Sequence, residues 1–222
     1  MPTIAIVGAG PGMGLSIAKV FGRHGFQVAL IARSKDNLDA LVGRLAASGI
    51  TAAGFPADVS DLPALSTALA QAAERFGGVD VLEYSPHSGL TMINPPEVTV
   101  DNLQPAIQHL LYGAVTATQA VLPAMLAAGT GTLLYTTGGG AIDPYPMLAT
   151  VNTAQAALRN WVRNLHNTLA DQGIHAATVA INLMPSATAP EGVPHADPDD
   201  IAQIYWDLHT RRDRPEHLVT AS

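Results

Sequence analysis

Thr3–Val7 is an apolar, β-rich run that ends in Gly8-Ala9-Gly10-Pro11-Gly12-Met13-Gly14, and Leu15–Phe21 then carries apolar residues at helical spacing up to Gly25. The chain therefore opens as strand, glycine turn, helix. In that context a glycine turn lets backbone N–H groups and a helix N-terminus approach a pyrophosphate. Few folds accept such an opening, and the rest of the chain narrows them further.

The alternation continues. Gln27–Ala32 reads as a buried strand, Ser34 as an N-cap for a helix reaching about Ser48, and Gly49 as its stop. Thr51–Phe55 is a third strand, followed by Asp58 and a helix from about Asp61 to Phe76 with Pro63 in its first turn. Val79–Tyr84 is the fourth strand. A Pro-rich loop, Thr91–Thr99, precedes a long helix from about Asp101 to Ala128 that Pro123 is expected to kink. Thr132–Thr137 is a fifth strand, Gly138–Ala149 a loop, Thr150–Gln172 a second long helix and Ile174–Ile181 a sixth strand. Leu183–Pro198 is polar and Pro-rich, Asp199–Arg211 is helical, and Leu218–Thr220 pairs as a short last strand. Strands alternating with helices require right-handed crossovers and a parallel sheet covered on both faces, with ligands at the carboxyl ends of the strands.

Composition agrees and removes other classes. The chain is 48% hydrophobic but 5% aromatic, so its core is built from small aliphatic side chains, as in an α/β layer structure. With 222 residues, one domain is expected against a prior of roughly 150 residues per domain. A net charge of −7 removes the electrostatic footprint of a nucleic-acid binder. There is no cysteine, which excludes disulfides and thiolate chemistry. The histidines, including His109, His166 and His175, form no spaced ligand set, so no metal site is expected. Met1–Gly8 lacks the features of a secretory signal, and the best apolar stretch, Leu110–Ala128, is interrupted by Tyr112, Gly113, Gln119 and Pro123. A cytoplasmic protein with no membrane association is the expectation.

Gly8, Gly12 and Gly14 are spaced G-x-x-x-G-x-G, and here the chain resembles the short-chain dehydrogenase/reductase (SDR) family. The resemblance extends through Ala32-Arg33-Ser34, Asp58-Val59-Ser60, Asp80-Val81-Leu82, Gly113, the run Thr118–Met125 and Gly131. It implies an α/β single-domain Rossmann fold, a doubly wound parallel sheet with helices on both faces, across residues 1–222. Residues 183–222 would then supply a substrate-side loop, a helix and the terminal strand, with a reduced and more open pocket after the sixth strand. The resemblance also implies a cofactor-binding set of Gly8, Gly10, Gly12, Met13, Gly14, Arg33, Ser34, Asp58, Val59 and Ser85, with Asp58 fixing the adenine amino group.

An NAD site normally ends the second strand in a carboxylate that accepts from the ribose 2′-OH. Here Ala32 holds that position, followed by Arg33, which can pair with a 2′-phosphate, and Ser34, an added donor. NADP(H) is therefore favoured over NAD(H).

The family's catalytic Asn, Ser, Tyr and Lys fall on Leu110, Gly138, Val151 and Gln155. No Tyr lies between Pro146 and Asp171 and no Lys follows Lys35, so the usual proton relay cannot form. The family's Asn-Asn-Ala-Gly after the fourth strand is Tyr84-Ser85-Pro86-His87, and its Pro-Gly after the sixth is Ile181-Asn182. Tyr145, in a Pro-flanked loop that faces substrate in the family, is the first candidate for a replacement proton donor, and Thr137 the second. Three functions stay open: hydride transfer to a small carbonyl-like or imine acceptor with a non-standard donor, an inactive NADP-binding regulatory subunit, or a non-redox cyclase, lyase or isomerase on the same scaffold. A homodimer or homotetramer is expected through helices 101–128 and 150–172, with Ala114, Ala117, Ala120, Ala154 and Ala157 allowing close approach.

Overall fold

The apolar runs identified above become the strands and helices of a three-layer stack in the computed structural model, which describes residues 1–87 and 89–221; Ser88 and Ser222 lie outside the described residues. The chain runs β1 (Thr3–Val7), α1 (Met13–Arg23), β2 (Gln27–Ala32), α2 (Lys35–Ala46), β3 (Ala52–Pro56), α3 (Leu62–Phe76) and β4 (Val81–Tyr84). It continues through α4 (Val100–Ile107), a π-helical turn at Gln108–Tyr112, α5 (Gly113–Ala128), β5 (Gly131–Gly138), α6 (Ala149–Leu169) and β6 (Ile174–Ile181). A two-residue ladder of β7 (Met184–Pro185) and β8 (His195–Ala196) precedes α7 (Pro198–Arg211) and β9 (Glu216–Val219).

The seven-stranded sheet has the order β3-β2-β1-β4-β5-β6-β9, and every neighbouring pair is parallel. Because strand side chains alternate, each strand feeds both faces. One face sets Val7, Ile31, Leu82, Leu133 and Tyr135 against α3, α5 and α6; the other sets Ile6, Leu30, Val81 and Leu134 against α1, α2 and α7. Local signals fix the helix ends. Ser34 caps α2 by accepting from Asn37 N–H at 3.3 Å, Asp61 caps α3 by accepting from Ala64 N–H at 3.1 Å, and Gly77 closes α3 at φ +84°.

Three expectations change. The long helix changes character at the π-turn Gln108–Tyr112, a feature not expected from the sequence, while Pro123, where a kink is expected, lies within the helical span of α5. The last strand is Glu216–Val219 rather than Leu218–Thr220. Ala114, Ala117 and Ala154 are fully buried in the protomer's own core, so among the small residues expected to pack between subunits only Ala120 and Ala157 remain accessible. Val100–Ala128 is long and apolar enough by composition to cross a bilayer, and its stripe of Ala114, Ala117, Val121 and Met125 is buried against the sheet.

Candidate active site at the carboxyl ends of the strands

The strand order reverses between β1 and β4, and a crevice opens at that switch point, where open α/β sheets bind ligands. Gly8 makes the turn out of β1 at φ +94°, and a Cβ there would come within 2.5 Å of the Pro86 backbone. Only glycine satisfies both conditions. Gly14 lets α1 approach the turn: its Cβ would stand 3.0 Å from Ala9 Cα. Above Gly12 nothing lies within 4 Å, and the first turn of α1 carries neither a side-chain cap nor an acidic residue. The amide cradle is thus left open to an anion.

A cleft of about 300 Å³ follows this cradle, lined by Gly8, Gly10, Pro11, Arg33, Asn37 and Val59, with Ala32 and Ser34 at the end of β2 and Pro86 and His87 after β4. Arg33 makes no ion pair among the described residues. An unpaired guanidinium at the end of β2, with no carboxylate on Ala32, fits a phosphorylated ribose. Ser34 accepts a hydrogen bond as the cap of α2 and keeps its own hydroxyl proton to donate. The residues present therefore fit a nicotinamide dinucleotide, with an open amide cradle for a pyrophosphate and an unpaired guanidinium at the ribose end.

A second cleft of about 570 Å³ adjoins the first through Arg33 and His109 and runs past Asp58, Asn102 and Gln108 to Thr150 and Val151. Asp58 borders this second cleft, and its Oδ1 already accepts from Ser60 N–H at 2.8 Å. Met13, Gly12 and Gly14 shape the turn without bordering either cleft. Ser85 turns its hydroxyl down into the sheet, donating to Glu83 at 2.8 Å, so Pro86 and His87 face the cleft after β4.

Three residues that sequence reasoning did not single out as site residues organise this region. Tyr84 stands where the family has the first Asn after β4. Gly113 N–H bonds the Gln108 carbonyl, which frees the His109 carbonyl for the Tyr84 hydroxyl at 2.5 Å; a Cβ on Gly113 would overlap that hydroxyl. This is the physical cause of the π-turn. The turn presents His109 to both clefts, with Nδ1 3.5 Å from Ser60 Oγ and Nε2 buried without a partner among the described residues. Burial holds the imidazole below its ordinary range; Asp58 opposes that shift and Arg33 adds to it. The third is Glu83, fully buried in β4, where desolvation pushes its carboxyl up to about 8 although Ser85 and Thr136 donate to it. A charged residue inside the apolar strand Val81–Tyr84 was the available signal for it.

The four positions to which the resemblance assigns the family's catalytic groups hold Leu110, Gly138, Val151 and Gln155. Leu110 is buried, Val151 borders the second cleft, and Gln155 Oε1 accepts from Gly138 N–H at 3.1 Å. Thr137 is 2% exposed, and its Oγ1 has no partner among the described residues. Tyr145 is 47% exposed and borders neither cleft; its hydroxyl donates to Asn182 Oδ1, beyond β6, at 2.8 Å, and its loop adjoins the second cleft where Ile93 N–H donates to the Met147 carbonyl. Of the two candidate donors, only Tyr145 is open to an incoming acceptor.

A glycine-cradled crevice at the switch point of a seven-stranded parallel sheet defines a nucleotide-binding protein of the doubly wound α/β class. More narrowly, the chain belongs to the short-chain dehydrogenase family, whose model matches residues 2–193. A fatty acyl-CoA reductase of Mycobacterium tuberculosis is 27% identical over 97% of this chain and 75% of its own length. An uncharacterised oxidoreductase of Staphylococcus aureus strain N315 is 26% identical over 97% of this chain and 93% of its own. Among solved structures, L-sorbose reductase of Gluconobacter frateurii, complexed with NADPH and L-sorbose, superposes with a TM-score of 0.89 at 20% identity, covering 100% of this chain and 95% of its own. Actinorhodin polyketide ketoreductase with NADPH gives 0.90 at 21% identity, over 99% and 96% of the two chains. The fold and the family's oxidoreductase character follow from these matches.

Proposed function

We propose that this protein is an NADP(H)-dependent reductase that delivers hydride to a carbonyl or imine acceptor, with Tyr145 in place of the family's Tyr–Lys pair as proton donor. The observation that carries the reading is the unpaired Arg33 beside the open glycine cradle, joined by one continuous crevice to Val151, the family's tyrosine position. The relatives solved with NADPH support the same cofactor class. When bound, the nicotinamide supplies the hydride. The chain's own residues bind the phosphates through the β1–α1 turn and Arg33, hold the adenosine between Val59, His87 and His109, and carry the Tyr145 phenol on a loop that adjoins the second cleft.

The acceptor carries an apolar substituent. Leu90, Met92, Ile142, Tyr145, Met147 and Met184 are all exposed large apolar side chains, and Leu90 and Met92 flank Gly89, Thr91 and Ile93 of the second cleft. Ile93 N–H donates to the Met147 carbonyl at 2.8 Å, and Tyr145 reaches Asn182, two residues before Met184. Flexible thioethers adapt to irregular apolar ligands, and the fatty acyl-CoA reductase named above acts on a substrate of that kind. We further propose a cytoplasmic homodimer, formed through the outward faces of α4–α6, where Tyr112, Ala120 and Leu126 are exposed.

The test is to titrate NADPH and NADH by thermal shift, then follow nicotinamide absorbance against aldehydes, ketones, imines and quinones of graded apolar size. NADPH-selective binding with turnover of apolar acceptors is expected. Tight NADPH binding with no turnover would instead favour a regulatory subunit, and no binding a non-redox reaction.

A further inference from the structure

The Gly138-Gly139-Gly140 run at the end of β5 carries three carboxamides, one on each glycine. Gln155 accepts from Gly138 N–H at 3.1 Å, Asn182 fills the space that a Cβ on Gly139 would occupy, and Asn152 does the same at Gly140. Neither Gly139 nor Gly140 has a positive φ, so their backbone does not require glycine. The missing side chains make room for the amides.

Two of the three amides hold the same residue. Asn152, 5% exposed on α6, donates from Nδ2 to the Tyr145 carbonyl at 2.8 Å. Asn182 accepts the Tyr145 hydroxyl proton on Oδ1 at 2.8 Å. Asn182 is anchored in turn, its N–H donating to the Val219 carbonyl of β9 at 2.9 Å. A tyrosine on a loop is thereby tied at its backbone to α6 and at its hydroxyl to the end of β6.

We infer that Asn182 is the positioning residue for Tyr145, seated by Gly139, and that its neutrality is what the reaction needs; the inference rests on the reading of Tyr145 as proton donor. An amide holds the phenol by a neutral hydrogen bond and gives it up when an acceptor oxygen takes the place of Oδ1. Hydride then adds to the acceptor carbon as the C=O π bond opens, the phenol proton passes to that oxygen, and the phenolate left behind regains a proton from water. A carboxylate in the same place would accept the phenol proton through a charge-assisted bond and retain it.

The experiment compares Asn182→Ala, Gly139→Ala, Asn182→Asp, Tyr145→Phe and the double variant Tyr145→Phe/Asn182→Ala, measuring NADPH affinity, kcat and pH profile, with circular dichroism as the check on folding. Asn182→Ala and Gly139→Ala are expected to lower kcat about tenfold, the scale of one neutral hydrogen bond, with NADPH affinity unchanged. Asn182→Asp, a near-isosteric change, is expected to stay active at low pH and lose activity as pH rises through the carboxylate range. The double variant should be no slower than Tyr145→Phe alone. Wild-type kcat in both Asn182→Ala and Gly139→Ala, additive losses in the double variant, or an Asn182→Asp profile identical to wild type would each overturn the inference. If Tyr145→Phe itself turns over at the wild-type rate, the donor reading fails; that result is distinct from an impaired Tyr145→Phe beside a normal Asn182→Ala, which sinks the positioning role alone.

Discussion

The Tyr84 hydroxyl donates to the His109 carbonyl at 2.5 Å, inserting a side chain into the hydrogen-bond ladder between α4 and α5. Burial pushes the phenol's pKa up, so Tyr84 remains a donor across the accessible pH range. Replacing it by Phe leaves the carbonyl without that partner, which costs about 1–3 kcal/mol. Tyr84→Phe is therefore expected to lower the urea midpoint and, because His109 is no longer held at the junction of the two clefts, to weaken NADPH binding. A variant with unchanged stability and affinity would show that the π-turn stands without this bond.

In the proposed function, Arg33 sets the preference for NADPH over NADH. A hydrogen bond to a charged group contributes about 1.5–3 kcal/mol, so Arg33→Ala should weaken NADPH binding by about 10–100-fold while leaving NADH nearly unchanged. Competition binding with the two reduced cofactors reads this directly; equal losses for both would remove the 2′-phosphate contact.

Gly8→Ala combines a φ of +94° with a Cβ 2.5 Å from the Pro86 backbone. The backbone conformation alone costs on the order of 1–3 kcal/mol, and relieving the overlap moves Ser85–Pro86 away from β1. Loss of NADPH binding beyond detection is expected, accompanied by a lower Tm. Gly12→Ala meets open space, so it should fold normally and reduce affinity only by blocking the cradle.

Stability should respond to pH in two opposite ways. Desolvation lowers His175 and His209 to about 4, so the unfolded chain takes up those protons first, and stability falls as pH drops from about 6.5 toward 4. Glu83 is raised to about 8, so the native state keeps a proton that the unfolded chain releases, and stability falls as pH rises from about 4.5 toward 8. Thermal melts of Glu83→Gln should show a higher Tm than wild type at pH 8 and little difference at pH 5. The reverse order would mean that Glu83 is ionised in the fold.

The sheet was legible because its strands are short, mainly apolar runs separated by helical periodicity: β1, β2 and β6 end where that pattern places them. The crevice was legible for the same local reason, since Gly8 and Arg33 act from the ends of β1 and β2. The π-turn at Gln108–Tyr112 was not, because it involves a hydroxyl from β4 that reaches the His109 carbonyl only in the folded chain. Tyr145 was found from its loop, but its partners Asn152 and Asn182 lie on elements distant in sequence, and amides carry no spacing motif. Ala114, Ala117 and Ala154 were misplaced for a similar reason, because periodicity marks an apolar face without saying whether the sheet or a second subunit covers it.

Single-turnover oxidation of bound NADPH by an apolar aldehyde, in wild type and Tyr145→Phe, tests most directly the proposed hydride transfer with Tyr145 giving the proton. Wild type is expected to oxidise NADPH, and Tyr145→Phe to bind NADPH equally well but react at least about 10²-fold more slowly, as loss of a general acid demands. Equal rates in the two proteins, or bound NADPH that no acceptor oxidises, would contradict it.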